Sequence, residues 1–322
     1  MRTSCRLRSR TFSTLAVLLA AALGGAAAGC SGPAGGAAPR AAGATAPTAA
    51  GAPAGELIKN IGSDTLVNLA LAWAEAYMAG HPGAHISVTG GGSGTGIAAL
   101  INGTIPLANA SRAMSEEEIK QARANGLEPV QQAVALDAIA VLVNLANPVD
   151  RLTLRQISDI YTGRIRRWSE VGGEDRPIVL LSRESNSGTY VYFIERVIRL
   201  GRKDSEDLPS PETLLMPSSE GISNEIRQNP NAIGYDGLGY VTPDQKVLGV
   251  SAGPAGPYVR PSPATVLDGS YPIARPLFMY TAGPPRGAVA SYLDWILKEG
   301  QKVVPELGFV PLTAEGSAGG KK

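Results

Sequence analysis

Between residues 56 and 313 short β-rich runs alternate with amphipathic helical stretches, and no other feature limits the possible folds so strongly. A strand that reaches its neighbour through a helix pairs with it in parallel, so the alternation predicts an α/β fold with mostly parallel strands. The first unit shows the scheme. Residues 57–61 read as a strand, Gly62-Ser63-Asp64 as a turn and N-cap, and Leu66, Leu69, Trp73 and Tyr77 as the apolar face of a helix. A strand over 86–89 then leads through loop 90–95 to a helix from Gly96. Another over 107–110 leads through 111–114 to a helix from Ser115, where Glu118 completes a capping-box spacing.

Farther on, helices are predicted over 154–161, 189–200, 222–228 and 288–298, with Gly163 and Gly201 closing the first two. Strands are predicted over 178–181, 233–235, 247–250 and 274–280. Residues 130–136 and 138–144 form two adjacent strand-like runs separated only by Asp137, which reads as a crossing between lobes. The expected division is lobe 1 over 56–137 and 262–313, and lobe 2 over 138–261.

The ends have a different character. Arg2, Arg6, Arg8 and Arg10 precede an uncharged apolar run over 12–23, and Ala26-Ala27-Ala28-Gly29 then supplies residues that a signal peptidase accepts, so 1–29 reads as an export signal. The run is short for a membrane-spanning helix. Small residues directly before Cys30 also resemble a bacterial lipobox, which makes Cys30 the lipidated first residue of the mature chain; Ala27 stands where Leu is usual, and simple secretion is the alternative. Residues 31–55, nearly all Ala, Gly, Pro and Thr, read as a flexible tether with a reach of roughly 25 to 30 Å. Residues 314–322 form a short tail of similar kind.

Several chemistries are disfavoured. The only cysteines are Cys5 and Cys30, so the exported domain has no disulfide, thiolate metal site or cysteine nucleophile. The only histidines, His81 and His85, lie close together in one segment, which counts against Ser-His and most zinc chemistry, and no metal or cofactor is expected. The chain has 29 basic and 28 acidic residues; removing the four signal arginines leaves 25 against 28, a net charge of about −3. Nonspecific nucleic-acid binding is disfavoured, and a bound anion needs local donors.

Such donors are concentrated in three strand-to-helix turns: 62–66, GSDTL; 90–96, GGGSGTG; and 182–189, SRESNSGT. Free N–H groups at a helix start attract anions, hydroxyls add short donors, and glycine admits the ligand to the backbone. For any one turn, helix capping explains Ser and Thr as well. Other glycine-loop chemistries fail on identity: Ile97 follows Gly96 where a P-loop has Lys, and Thr95, Ile97 and Ala99 fall where a dinucleotide fingerprint closes on Gly. Thr95 likewise replaces the last glycine of a nucleophile elbow centred on Ser93.

The runs IGSDTL, VTGGGSGTGIAALINGT, ANASR, SRESNSGTY and AIGYDGLGYV resemble, in order and spacing, the phosphate-binding proteins of bacterial high-affinity (Pst-type) phosphate ABC transporters, across essentially all of 56–313. The resemblance implies a type II periplasmic-binding-protein fold, with two α/β lobes joined by two crossings and phosphate held in the cleft between them. It implies a monomeric, non-catalytic protein outside the cytoplasmic membrane, delivering phosphate to ABC permease subunits. Carried over by residue, it assigns Ser63, Thr65 and the Leu66 amide, then Ser93, Gly94 and Thr95, as donors from one lobe. Arg183, Ser187, Gly188 and Thr189 close the cage from the other, with Arg183 as the charge partner. A surface ion pair is the alternative for Arg183. Where the best-known members carry Asp in the third loop, this chain has Ser111-Arg112; both are expected to reach the anion, while Asp64 or Asp137 is expected to accept the phosphate proton, with an N-cap as the alternative for Asp64. Sulfate or molybdate binding, or a phosphatase using Ser93 or Ser187, are the competing functions.

Overall fold

A computed structural model of the protein describes residues 57–312; the expected signal, Cys30, tether and tail lie outside them. Strand Leu57–Gly62 pairs in parallel with His85–Thr89 on one side and Leu107–Ala110 on the other. Helix Val67–Gly80 packs on this sheet by burying Leu69, Trp73 and Tyr77, each of which contributes about 1.5 to 3 kcal/mol. Trp73 Nε1 donates to the Gly300 carbonyl at 2.8 Å, which ties the helix to the C-terminal part of the fold. In the second lobe, Val179–Arg183 pairs in parallel with Leu214–Met216 and Ala232–Gly237.

One 15-residue strand, Val130–Asn144, joins the two halves. Over 130–138 it runs antiparallel to the returning strand Ala274–Thr281, and over 139–144 antiparallel to Ala232–Gly237 and Gln245–Val247. The result is a nine-stranded sheet across both lobes. Every antiparallel pair in it involves the joining strand or the returning one, so departures from parallel pairing mark the crossings. Asp137 therefore does not separate two strands. It sits within one, opposite Arg275.

The second-lobe core contains Val141, Phe193 and Tyr235, with the Phe193 and Tyr235 rings stacked at 3.6 Å; Val266, Tyr271 and Ile273 pack with it.

Local differences from the expectations have local causes. The helix expected from Gly96 begins at Ser93, because Gly91 at φ 115° and Gly92 at φ 91° complete the turn earlier. The helix expected over 189–200 is α-helical only over Gly188–Phe193, widens into a π-turn over Ile194–Ile198, and stops where Leu200 and Gly201 both take positive φ. The run 247–250 breaks at Leu248, leaving Gly249–Ser251 to pair with Arg151–Thr153 in a separate small sheet.

Candidate anion-binding site

The three turns meet between the lobes. Ser63 follows the first strand, Ser93 opens helix Ser93–Ile101, and Ser111 follows strand Leu107–Ala110. Ser63 Oγ donates to Ser111 Oγ at 2.9 Å, and Ser93 Oγ lies 3.3 Å from Ser111 Oγ while accepting the Ser111 amide at 3.0 Å. From the other lobe, Ser187 caps helix Gly188–Phe193, accepting the Thr189 and Tyr190 amides. Thr189 Oγ1 reaches Thr65 Oγ1 at 2.8 Å across the cleft. All these hydroxyl-bearing residues are buried. Gly188 makes the approach possible, since a Cβ there would lie 2.3 Å from Ser93 Oγ and 2.6 Å from Ser111 Oγ.

Two guanidinium groups flank the hydroxyls. Arg183, 1% exposed, ends strand Val179–Arg183 and donates from Nη2 to Asp64 Oδ2 at 2.6 Å, from Nη1 to Ser219 Oγ at 3.0 Å, and to the Met216 and Pro217 carbonyls. Arg183 is thus paired with an acid, Asp64 rather than Glu184, but in the enclosed cleft and not on the surface. The second guanidinium belongs to Arg275, which the sequence reading did not select. Its Nη2 donates to Thr189 Oγ1 at 2.9 Å and to Asp137 Oδ2 at 3.0 Å, with Thr65 Oγ1 at 3.4 Å, and its Nη1 donates to the Ser111 carbonyl at 2.9 Å. Tyr192 from the second lobe faces the same group, 5.5 Å from ring centre to Cζ.

Not every expected residue joins this centre. Arg112 turns away, donating through Nη1 and Nη2 to the two Glu118 oxygens at 2.7 and 2.6 Å. The Glu118 bond raises the Arg112 pKa. Burial pushes the Glu118 carboxyl up, but Arg112 and the Ser115 cap together hold it below its ordinary value. Arg112 still lines a cavity of about 520 Å³ together with Ser111, Tyr192 and Arg275, placing it at the rim. Thr95 is exposed and donates to the Gly91 carbonyl. The Leu66 amide is engaged by the Ser63 carbonyl, and the Gly94 amide by the Asn186 carbonyl of the opposite lobe at 2.9 Å. Asp64 is not an N-cap through its side chain; besides Arg183 it accepts the Gly91 amide at 3.0 Å.

Two further carboxyls lie fully buried beneath the hydroxyls. Asp137 accepts Arg275 Nε and Nη2 on Oδ2 and the Leu238 amide on Oδ1. Burial pushes its pKa up against the pull of Arg275. Asp236 accepts Ser219 Oγ and the Gly237 amide on Oδ1, each at 2.8 Å. Burial raises its pKa to about 7, with the Arg183 charge acting in the opposite direction.

Convergent O–H and guanidinium donors, buried between the lobes, suit a small oxyanion. Comparison with known proteins points the same way. Residues 44–299 match the model of the PBP superfamily domain. The chain is 32% identical over 276 residues to the phosphate-binding protein PstS of Pseudomonas aeruginosa, covering 80% of this chain and 84% of that one. It is 32% identical over 254 residues to PstS of Bacillus subtilis, covering 78% and 79%. Among solved structures, a Clostridium perfringens protein assigned to phosphate ABC transport, with phosphate bound, superimposes with a TM-score of 0.71 at 32% identity over 80% of this chain and all of that one. An ABC-type phosphate transport receptor from Vibrio cholerae gives 0.63 at 25% identity, again over 80% of this chain and all of that one. The fold is therefore the two-lobed one of these proteins, and the chain belongs to the PBP superfamily and, within it, to the PstS family of phosphate-binding proteins.

Proposed function

We propose that this protein captures inorganic phosphate between its lobes outside the cytoplasmic membrane and delivers it to an ABC permease for import. The observation that carries the reading is the convergence of buried hydroxyls from both lobes beside Arg183 and Arg275. Ser63, Thr65, Ser93, Ser111, Ser187 and Thr189 supply hydroxyls, and the Leu66, Gly94 and Gly188 amides lie within the same turns. Arg183 is the clamp, Arg275 a second one added by the geometry, and Arg112 and Thr95 stand at the rim. Asp64 or Asp137 accepts the phosphate proton, which sulfate lacks. Delivery requires the lobes to swing apart about the two crossings. We take lobe 1 as 56–137 and lobe 2 as starting at 138, with the return to lobe 1 nearer Ala274 than the expected 262, a reading supported by the packing of Val266, Tyr271 and Ile273 with the second core.

Anchoring through lipidated Cys30 rests on residues 26–30 alone. The protein is read as a monomer and as a binder without turnover. His81, the histidine at the end of helix Val67–Gly80, lies about 20 Å along that helix from the cleft, out of reach of Ser93. Calorimetric titration of the purified protein with phosphate and then sulfate tests the central claim. Tighter binding of sulfate or molybdate would overturn the ligand assignment, and turnover of a chromogenic phosphate ester would overturn the binder reading. A Cys30→Ser variant that stays in the membrane fraction would remove the anchor.

A further inference from the structure

Five ionisable groups meet under the hydroxyls: Arg183, Arg275, Asp64, Asp137 and Asp236. If all are charged they carry a net −1 before any ligand arrives. A phosphate dianion among them would raise this to −3 in a space where only Asp64 keeps some contact with water. Like charges about 4 Å apart repel by about 4 kcal/mol even at an effective dielectric constant of 20; Arg183 and Arg275 offset part of this, and a proton on one carboxylate relieves more of it.

The hydrogen bonds distinguish the three carboxylates. Both oxygens of Asp64 take donors, Arg183 on one and the Gly91 amide on the other. Both oxygens of Asp137 do so too, Arg275 on Oδ2 and the Leu238 amide on Oδ1. Asp236 is fully buried and accepts two donors on Oδ1, but among the described residues nothing donates to its Oδ2. A proton on that oxygen displaces no existing donor.

The charged and titratable groups around Asp236 come from every packed element. Arg183, on the neighbouring strand Val179–Arg183, reaches it only through Ser219; Asp137 stands on the joining strand; Tyr240 lies in the turn that follows. Asp137 is itself held by Arg275, and the Arg183 charge is shared with Asp64.

We propose that phosphate capture is coupled to uptake of one proton by Asp236, whose neutral acid is the form that stands beside the bound anion. The inference rests on the reading that phosphate occupies this cleft. The balance is simple: the Asp236 carboxylate and one proton from solvent give the acid on closure, and the proton leaves with phosphate on opening. Burial already holds this carboxyl at about 7, and a nearby anion raises it further. Proton uptake is therefore small below pH 6 and grows above pH 7. In that range affinity falls with rising pH, by up to about tenfold per unit for a single coupled proton.

Phosphate titrated calorimetrically at pH 8, in two buffers of different ionisation heat, counts the protons taken up. The wild-type count is expected to approach one. Asp236→Asn, which imitates the neutral acid, is expected to bind phosphate as well as wild type at pH 6, to bind more tightly at pH 8, and to take up clearly fewer protons. No net uptake by the wild type at pH 8 overturns the proposal, and that result does not depend on the variant folding. A variant that melts normally yet matches the wild-type proton count overturns it too, as does one that loses phosphate at pH 6. Absence of any phosphate heat across the pH range defeats the phosphate reading itself and this inference with it, a result distinct from normal binding without proton uptake.

Discussion

Arg275 and Asp137 face each other as opposed residues of neighbouring antiparallel strands, whereas Arg183, at the end of its strand, meets Asp64, in the turn after the first strand, across the cleft between the lobes. The first pair is set by sheet register, with side chains 1% and 0% exposed. The second pairs an enclosed arginine with a carboxylate left 15% exposed, and its distance depends on the lobes being closed. Two ion pairs of like chemistry, a few residues from the same hydroxyls, thus have different work. One is part of the folded frame; the other reports closure. The rim pair Arg112–Glu118 is a third case, local in sequence and lying within a single loop and helix start.

The contrast can be broken most directly at Arg275. Arg275→Ala leaves Asp137 buried without its partner and is expected to cost about 3 to 5 kcal/mol of stability, read as a fall in melting temperature on the order of 10 °C. A variant that melts like wild type would show that the frame does not need this pair. Arg183→Ala is expected to weaken phosphate binding by about 2 to 5 kcal/mol, and Arg183→Lys to recover little of it, because one ammonium cannot reproduce a guanidinium bonded at Nε, Nη1 and Nη2. Titration calorimetry decides; near-normal affinity in the lysine variant would reduce Arg183 to a point charge.

Asp64→Asn sharpens the comparison. It keeps the shape and removes the inter-lobe charge pair, so melting without phosphate is expected to move by no more than about 1 kcal/mol, since the carboxylate retains contact with water. A loss as large as that of Arg275→Ala would make both pairs part of the frame. The smallest effect is expected at the rim: Arg112→Ala should leave phosphate affinity within about twofold and change stability by about 1 kcal/mol or less. A strong loss of affinity there would return Arg112 to the ligand.

The sequence was most legible where chemistry and local conformation coincide. Residues 107–110 and 154–161 form the expected strand and helix, and the Ser115 and Glu118 spacing does close a capping box. The Ser- and Gly-rich turns could be read because hydroxyls at helix starts are themselves the candidate donors. Arg275 could not be read in this way. It lies inside an ordinary strand, and its partner Asp137 is 138 positions away, so only the register of two antiparallel strands brings them together. Arg112 shows the converse: the third-loop motif brought it in with Ser111, while Glu118, six positions on, takes its guanidinium at the rim. Asp236 lay within a recognised motif, yet its role depends on enclosure and on an unmatched oxygen, neither of which is written in a local pattern.

The strand Val130–Asn144 has a consequence for how the molecule comes apart. Its first part supplies ladder partners to the returning strand and its second part to strands of the other lobe. If one lobe unfolded alone, this strand would either keep half of its ladder in water or fray and remove an interior strand from its neighbour. Both routes strip buried backbone groups of their partners, so partial unfolding is penalised from either side. The two lobes are therefore expected to melt as one cooperative unit, with calorimetric and van't Hoff enthalpies in agreement, although each has a hydrophobic core of its own.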